Sequence, residues 1–242
     1  MIWDLIDAIS SGEKNLLITT LITALLSLPV VLFSLAFHEA AHAYAAHLQG
    51  DRTARYMGRL TLNPAKHLDP LGTVCMVLFK FGWAKPVPIR AQNFKNPKWG
   101  MAITALAGPL SNLALSFVGM LLFRGAEMLV PVVCGRNIIP VFYAGMPFSH
   151  LMMVILLNLF YCLTYYNAAL AIFNLLPIPP LDGSRLAFVF LPDRWYFAIM
   201  RYERIIMIVF LVGITTGFIS VPIQVAADSI TQFFYWITCL FM

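Results

Sequence analysis

The sequence predicts an all-α multi-pass membrane protein: a bundle of about 4–6 transmembrane helices with a small β-sheet at the cytoplasmic membrane surface. Three observations carry that prediction. Of 242 residues, 60% are hydrophobic and 11% charged, with a mean hydropathy of +0.81, a balance far more apolar than that of a soluble domain. Several uncharged stretches are long enough to cross a bilayer, which takes about 20 apolar residues. Lysine and arginine then concentrate in alternate segments between those stretches, the asymmetry that orients membrane proteins.

Four spans are expected: Asn15 to Phe37, Gly100 to Phe123, Leu151 to Leu176 and Ile205 to Ala227. Ile230 to Met242 is a weaker fifth span or half-span, and the amphipathic opening MIWDLIDAISSGEK suits the interface. The first span is expected to be retained. Its leader carries Asp4, Asp7 and Glu13 against Lys14, and no small-residue cleavage site ends the apolar run. Between spans one and two, Asp51 to Trp99 holds nine basic residues (Arg52, Arg55, Arg59, Lys66, Lys80, Lys85, Arg90, Lys95 and Lys98) and is expected to be cytoplasmic. The next loop has only Arg124 and Arg136, and the segment after span three bears Arg185, Arg194, Arg201 and Arg204. The N-terminus is therefore expected outside.

Within the basic stretch, TARYMGRLTLNP and WAKPVPIRAQNF contain β-compatible runs broken by proline, as edge strands tolerate. They are the basis for the predicted surface sheet. HLDPLGTVCMVLFKFG between them is apolar but too short to span unless tilted or re-entrant. No repeat or low-complexity linker divides the chain, so residues 1–242 read as a single membrane-embedded domain without an appended soluble domain. Cys75, Cys134, Cys162 and Cys239 lack metal-binding spacing and read as small buried hydrophobes. The net charge of +5 is accounted for by the basic loops, and no nucleic-acid partner is implied.

The chemistry concentrates at HEAAH, His38 to His42, where the first span ends in a helical context. Residues four apart share a helix face, so both imidazoles can reach one metal ion. Glu39 is placed to take a proton from the attacking water without being a ligand. His47, His67 and His150 read as structural or interfacial. A catalytic zinc takes three protein ligands and keeps one position open, so one ligand is missing. Asp51 and Asp69 lie in the basic loop, Glu127 and Asp228 on the expected outer side, and Asp193 and Glu203 among arginines. Asp182 alone terminates a long uncharged stretch, after the helix-incompatible Pro177, Pro179 and Pro180. On these grounds Asp182 is either the third ligand or the corner of a plain Asp-Gly turn.

HEAAH, the AGPLSN run at Ala107 to Asn112 and NLLPIPPLDG at Asn174 to Gly183 together resemble the site-2 protease family of intramembrane zinc metalloproteases. GRLTLNPAKHLDPLGT and GWAKPVPI are similar to its compact prokaryotic branch, without PDZ or CBS domains. The resemblance covers roughly Leu32 to Leu191. It implies one catalytic Zn2+ held by His38, His42 and Asp182, and it supports an oxyanion-stabilising role for the Asn174 side-chain amide. Asn112 is a candidate for substrate binding or, with Gly108 and Ser111 beside it, for helix packing. The expected partners are a transmembrane protein substrate and the lipid bilayer. The expected location is the cell (inner) membrane, with the active site near the cytoplasmic side. The competing readings are a membrane zinc transporter and a non-catalytic metal-binding membrane protein. Glu39 and the gathering of ligands near one membrane face argue against both.

Overall fold

The computed structural model describes residues 9–79, 82–135, 142 and 145–241. Helix α1, Lys14–Leu48, is 35 residues long, or about 50 Å at 1.5 Å per residue. It therefore contains the first expected span and carries HEAAH on the same unbroken rod. A surface segment follows, with the short helix α2, Thr53–Tyr56, a 3-10 turn at Pro64–Lys66, and helix α3, Pro70–Phe79. At ten residues α3 is about 15 Å long and cannot cross a bilayer. After a 3-10 turn at Ala91–Asn93 come α4, Pro97–Cys134, and α5, Phe148–Leu175. These lead to α6, Asp182–Phe188, α7, Asp193–Arg201, α8, Glu203–Thr215, and α9, Ser220–Phe241.

Among the described residues three single helices are long and apolar enough to span: Asn15–Leu48, Pro97–Cys134 and Phe148–Leu175. The expected fourth span, Ile205 to Ala227, is not one helix. The chain bends by 70° between Ile205–Thr215 and Ser220–Phe241, and among the described residues this bent pair, counted as one, makes the fourth span. Gly217 at the break has φ +86°, a conformation that suits glycine. The segment Ile230 to Met242 continues α9 to Phe241 instead of forming a separate element. Arg124, expected in an outer loop, lies inside α4. There it pairs with Glu127 and sits 4.8 Å from the centre of the Tyr235 ring. Lys80 and Arg136 lie outside the described residues.

The core is the mutual packing of α1, α4 and α5, with α6 against α4 and α5 and with α9 against α5 and α4. Small side chains permit it. Ala36, Ala40, Ala43 and Ala46 of α1, Ala102 and Ala105 of α4, and Ala168 and Ala171 of α5 are all buried. In hydrocarbon the drive for association is close packing, since lipid tails are as apolar as leucine. At Gly119 the approach is so close that an added Cβ meets the Thr164 hydroxyl at 2.8 Å. Large apolar side chains such as Leu25, Val118, Val132 and Phe148 point outward, which is the surface a bilayer accepts.

The predicted β-sheet is absent. Among the described residues there is no strand, and the one isolated bridge pairs Leu68 with Ala84. TARY winds into α2 instead, and Asn63 caps the turn after it by accepting from Ala65 N at 3.1 Å. Residues 85–90 lie in no helix or strand, and the use made of their amides shows why. Pro86 and Pro88 have no N–H. Val87 N donates to Glu39 Oε2 at 2.9 Å and Arg90 N to Asp51 Oδ2 at 2.7 Å, while Lys85 N donates to His67 O at 2.7 Å. Arg59 Nη2 occupies the carbonyl of Lys85. Beyond the Lys85 bond that accompanies the single bridge, the Val87 and Arg90 donors that a neighbouring strand would need are taken by carboxylates from α1 and from the turn that follows it. The segment is therefore a strap tied down against α1 and the turn that follows it.

Asp51 is the main knot of that strap. It is 1% exposed and also accepts from Thr53 N, Thr53 Oγ1 and Asn93 Nδ2. Burial pushes its carboxyl up, but these donors and the Arg90 amide outweigh that and hold it below the usual carboxylate range. His67 is likewise structural, 1% exposed with Nε2 bonded to Thr61 O at 2.8 Å.

Candidate active site

His38 and His42 project from one face of α1 toward α4. Their rings are edge-on, with centroids 4.5 Å apart. His42 Nδ1 lies 2.7 Å from the carbonyl of Thr104. A carbonyl only accepts, so Nδ1 carries the proton and Nε2 is left as a lone pair. Within the same stretch of α4, Pro109 withdraws the helical donor from the Ala105 carbonyl. Gly108 is what lets α4 pass so close. A Cβ there would stand 2.5 Å from Cε1 of both His38 and His42, and 2.6 Å from His38 Nε2.

Asp182 arrives from the other end of the chain. Helix α5 ends at Leu175, Leu176 is extended, the Pro179–Pro180 bond is cis, and α6 begins at Asp182 itself. Gly183 seats this turn on the end of α5, where a Cβ would stand 2.2 Å from the Leu175 carbonyl oxygen. The result is a triangle: His38 Nε2 to His42 Nε2 is 2.9 Å, His38 Nε2 to Asp182 Oδ2 is 3.0 Å, and His42 Nε2 to Asp182 Oδ2 is 3.1 Å. Asp182 keeps 14% side-chain exposure against 5% and 7% for the imidazoles, so the approach to the site is on its side. A carboxylate must be ionised to serve as a ligand, and the Oδ2 of Asp182 faces both imidazole Nε2 atoms.

These three residues form a cluster able to hold a metal ion. Two imidazole nitrogens and one carboxylate oxygen make a donor set that zinc accepts with a fourth position open. Ligands about 2.0–2.1 Å from a tetrahedral ion lie about 3.3 Å apart, so the triangle has to open by only a few tenths of an ångström. The fit is good.

Glu39, half-buried and next to the first ligand, is held by the Val87 amide. Asn174 sits in the last turn of α5 and donates Nδ2 to Leu170 O at 3.0 Å, a bond within its own helix and away from the three ligands. Asn112 is 0% exposed and lies one turn along α4 from Gly108, with no surface of its own open to an approaching molecule. Three participants escaped the sequence reading. The Thr104 carbonyl and the Val87 amide are backbone groups and carry no residue-type signal. Gly108 was visible only as a packing glycine, and nothing in the sequence pairs it with the histidines.

Comparison with known proteins agrees with this geometry. The model of Peptidase family M50 matches residues 26–220, a region that contains both histidines, Glu39 and Asp182. YwhC of Bacillus subtilis (strain 168), named as a candidate zinc metalloprotease, is 36% identical over 208 residues, covering 84% of this chain and 88% of that protein. Rip2 of Mycolicibacterium smegmatis, named in the same way, is 31% identical over 156 residues. Rip2 of Mycobacterium tuberculosis (strain H37Rv) is 30% identical over 156 residues. These cover 63% of this chain and only 52% of each Rip2 protein. No solved structure gives a significant match. From the match along residues 26–220, and from the ligand triangle built inside it, the chain belongs to peptidase family M50.

Proposed function

We propose that this intramembrane zinc metalloprotease cleaves single-span membrane proteins, with His38, His42 and Asp182 as its ligands, Glu39 as its general base and Asn174 as oxyanion donor. The observation that supports the reading best is the ligand triangle with Glu39 one residue along the same helix. When bound, zinc supplies Lewis acidity to the scissile carbonyl and the attacking water. Every other part belongs to the chain. Glu39 accepts a proton from that water and passes it to the leaving amine, and the Val87 amide keeps its carboxylate aimed. Asn174 reaches the developing oxyanion by releasing its bond to Leu170 O.

A peptide bond in a helix is shielded by its own hydrogen bonds, so the substrate must unwind before attack. In this reading residues 1–242 work as one membrane-embedded unit in the cell membrane. The basic segment between α1 and α4 faces the cytoplasm, and the site lies near that face because HEAAH belongs to the last third of α1.

The test is Glu39→Gln, assayed with a single-pass reporter in proteoliposomes. Zinc content should stay at the wild-type level while cleavage falls by about 100- to 10,000-fold, the range a proton-transfer role commonly supplies. Retained cleavage removes Glu39 from the mechanism.

A further inference from the structure

Behind the metal ligands, the three packed helices carry a layer of buried polar side chains that the reaction above does not use. His42 meets α4 at Thr104 and His38 meets it at Gly108. One turn back along α1 therefore matches one turn forward along α4, and the next pair in that register is Ser34 and Asn112. From α5, Asn167 donates Nδ2 to Ser34 Oγ at 2.8 Å. Ser116, one turn beyond Asn112, donates to Thr164 O at 2.7 Å, which brings Asn167 to the same level. Ser34, Asn112 and Asn167 are each 0% exposed.

This layer is left incomplete by protein groups alone. Ser34 Oγ donates its proton to Val30 O at 2.7 Å. Neither Nδ2 nor Oδ1 of Asn112 has a partner, nor does Oδ1 of Asn167, and one turn away His38 Nδ1 has none either. Turning the Asn112 amide over changes nothing, because both of its ends are orphaned. With Nε2 committed to the metal triangle, His38 Nδ1 carries the proton and is a donor. Two donors and two acceptors thus stand together in a part of the bundle that offers them no bulk water. Buried waters bridge such groups, typically with about three hydrogen bonds each. A metal-ligating histidine almost always donates its second ring N–H to something. His42 has the Thr104 carbonyl for this, and His38 has nothing equivalent.

We propose that Ser34, Asn112 and Asn167 form a buried hydration site between α1, α4 and α5. Through its water, Asn112 accepts the Nδ1 proton of His38 and acts as a positioning residue for that ligand. Asn112 therefore works from behind the metal and never touches substrate. The proposal rests on the metal site already assigned. A wild-type protein that takes up no zinc would sink that assignment, whereas zinc uptake indifferent to Asn112 would sink only this one.

The experiment uses the full chain in detergent. It compares wild type with Asn112→Leu, which keeps the volume and removes the polarity, by zinc competition against a chelator and by the visible spectrum of the Co2+-loaded protein. Zinc affinity should fall about 10- to 100-fold, the usual loss when the partner of a ligating histidine is removed, and the Co2+ bands should shift. Wild-type affinity with an unshifted spectrum overturns the proposal, since a packing residue would behave in that way. Should the leucine variant not fold, Asn112→Ala is read by the same criteria. Asn112→Ser, which restores a hydroxyl for the water, should recover most of the affinity lost in Asn112→Ala. A serine variant as weak as the alanine one also overturns the proposal.

Discussion

The sharpest perturbation available is one methyl group at Gly108. In Gly108→Ala the new Cβ would stand 2.5 Å from Cε1 of His38 and of His42, and 2.6 Å from His38 Nε2. Carbon atoms rest about 3.5–4.0 Å apart, so roughly 1 Å must be found on both rings at once. His42 cannot swing away freely, because its Nδ1 is tied to the Thr104 carbonyl at 2.7 Å on the same helix that carries the new methyl. Metal sites tolerate ligand displacements of only about 0.2 Å. The overpacking should therefore cost about 1–3 kcal/mol of stability. A 1 Å misplacement of the reacting groups should lower kcat/KM by about 100-fold or more. Zinc per chain, measured by mass spectrometry after dialysis, and cleavage of a single-pass reporter should fall together. Gly125→Ala is the control, since it lies on the same helix and its Cβ meets nothing within 4 Å. It should leave zinc and activity unchanged. A Gly108→Ala protein with full zinc and wild-type turnover refutes the claim that α4 holds the rings in place by contact.

Three further outcomes are expected. Asp182→Ala should lower zinc content as well as activity, since it removes one of three ligands, and unchanged metal stoichiometry counts against it. Asn174→Ala should reduce kcat on a short model substrate by about 100- to 1000-fold with little change in zinc affinity, the scale expected for one oxyanion donor. Undiminished turnover ends that assignment. The strap held by Asp51 should stay closed down to about pH 4, because a carboxyl depressed in the fold contributes fully above its unfolded value, near 3.9, and loses that contribution only as pH falls through the lower folded value. Hydrogen exchange at the Arg90 amide should report this, and opening between pH 5 and 6 would contradict it.

The parts of the fold legible from residues alone are those in which side-chain type decides the outcome. The first three spans are visible as uncharged runs, and the helix spacing of His38 and His42 is visible as a shared face. Asp182 took its place partly by elimination and partly through the NLLPIPPLDG match, and the structure shows why this segment serves: Gly183 alone can lie against the Leu175 carbonyl. The sheet failed for a specific reason. Alternating apolar and proline residues at 83–90 suit an edge strand, but strand pairing depends on where the amides go, and the distant carboxylates of Glu39 and Asp51 claim those of Val87 and Arg90. The fourth span is bent at Gly217 and is not one straight helix, since a uniform apolar run says nothing about the φ of one glycine inside it.

The strap also fixes how this region can change over evolutionary time. Val87 is the one residue between Pro86 and Pro88, its side chain is packed with Ala43 and Ala54, and its amide is the donor that reaches Glu39. Exchange for another apolar residue of similar size leaves that donor where it is. A one-residue insertion or deletion upstream, however conservative in composition, brings a proline into register with the carboxylate and leaves no N–H to offer. Side-chain identity at this point can drift among apolar residues of similar size, while segment length is held fixed.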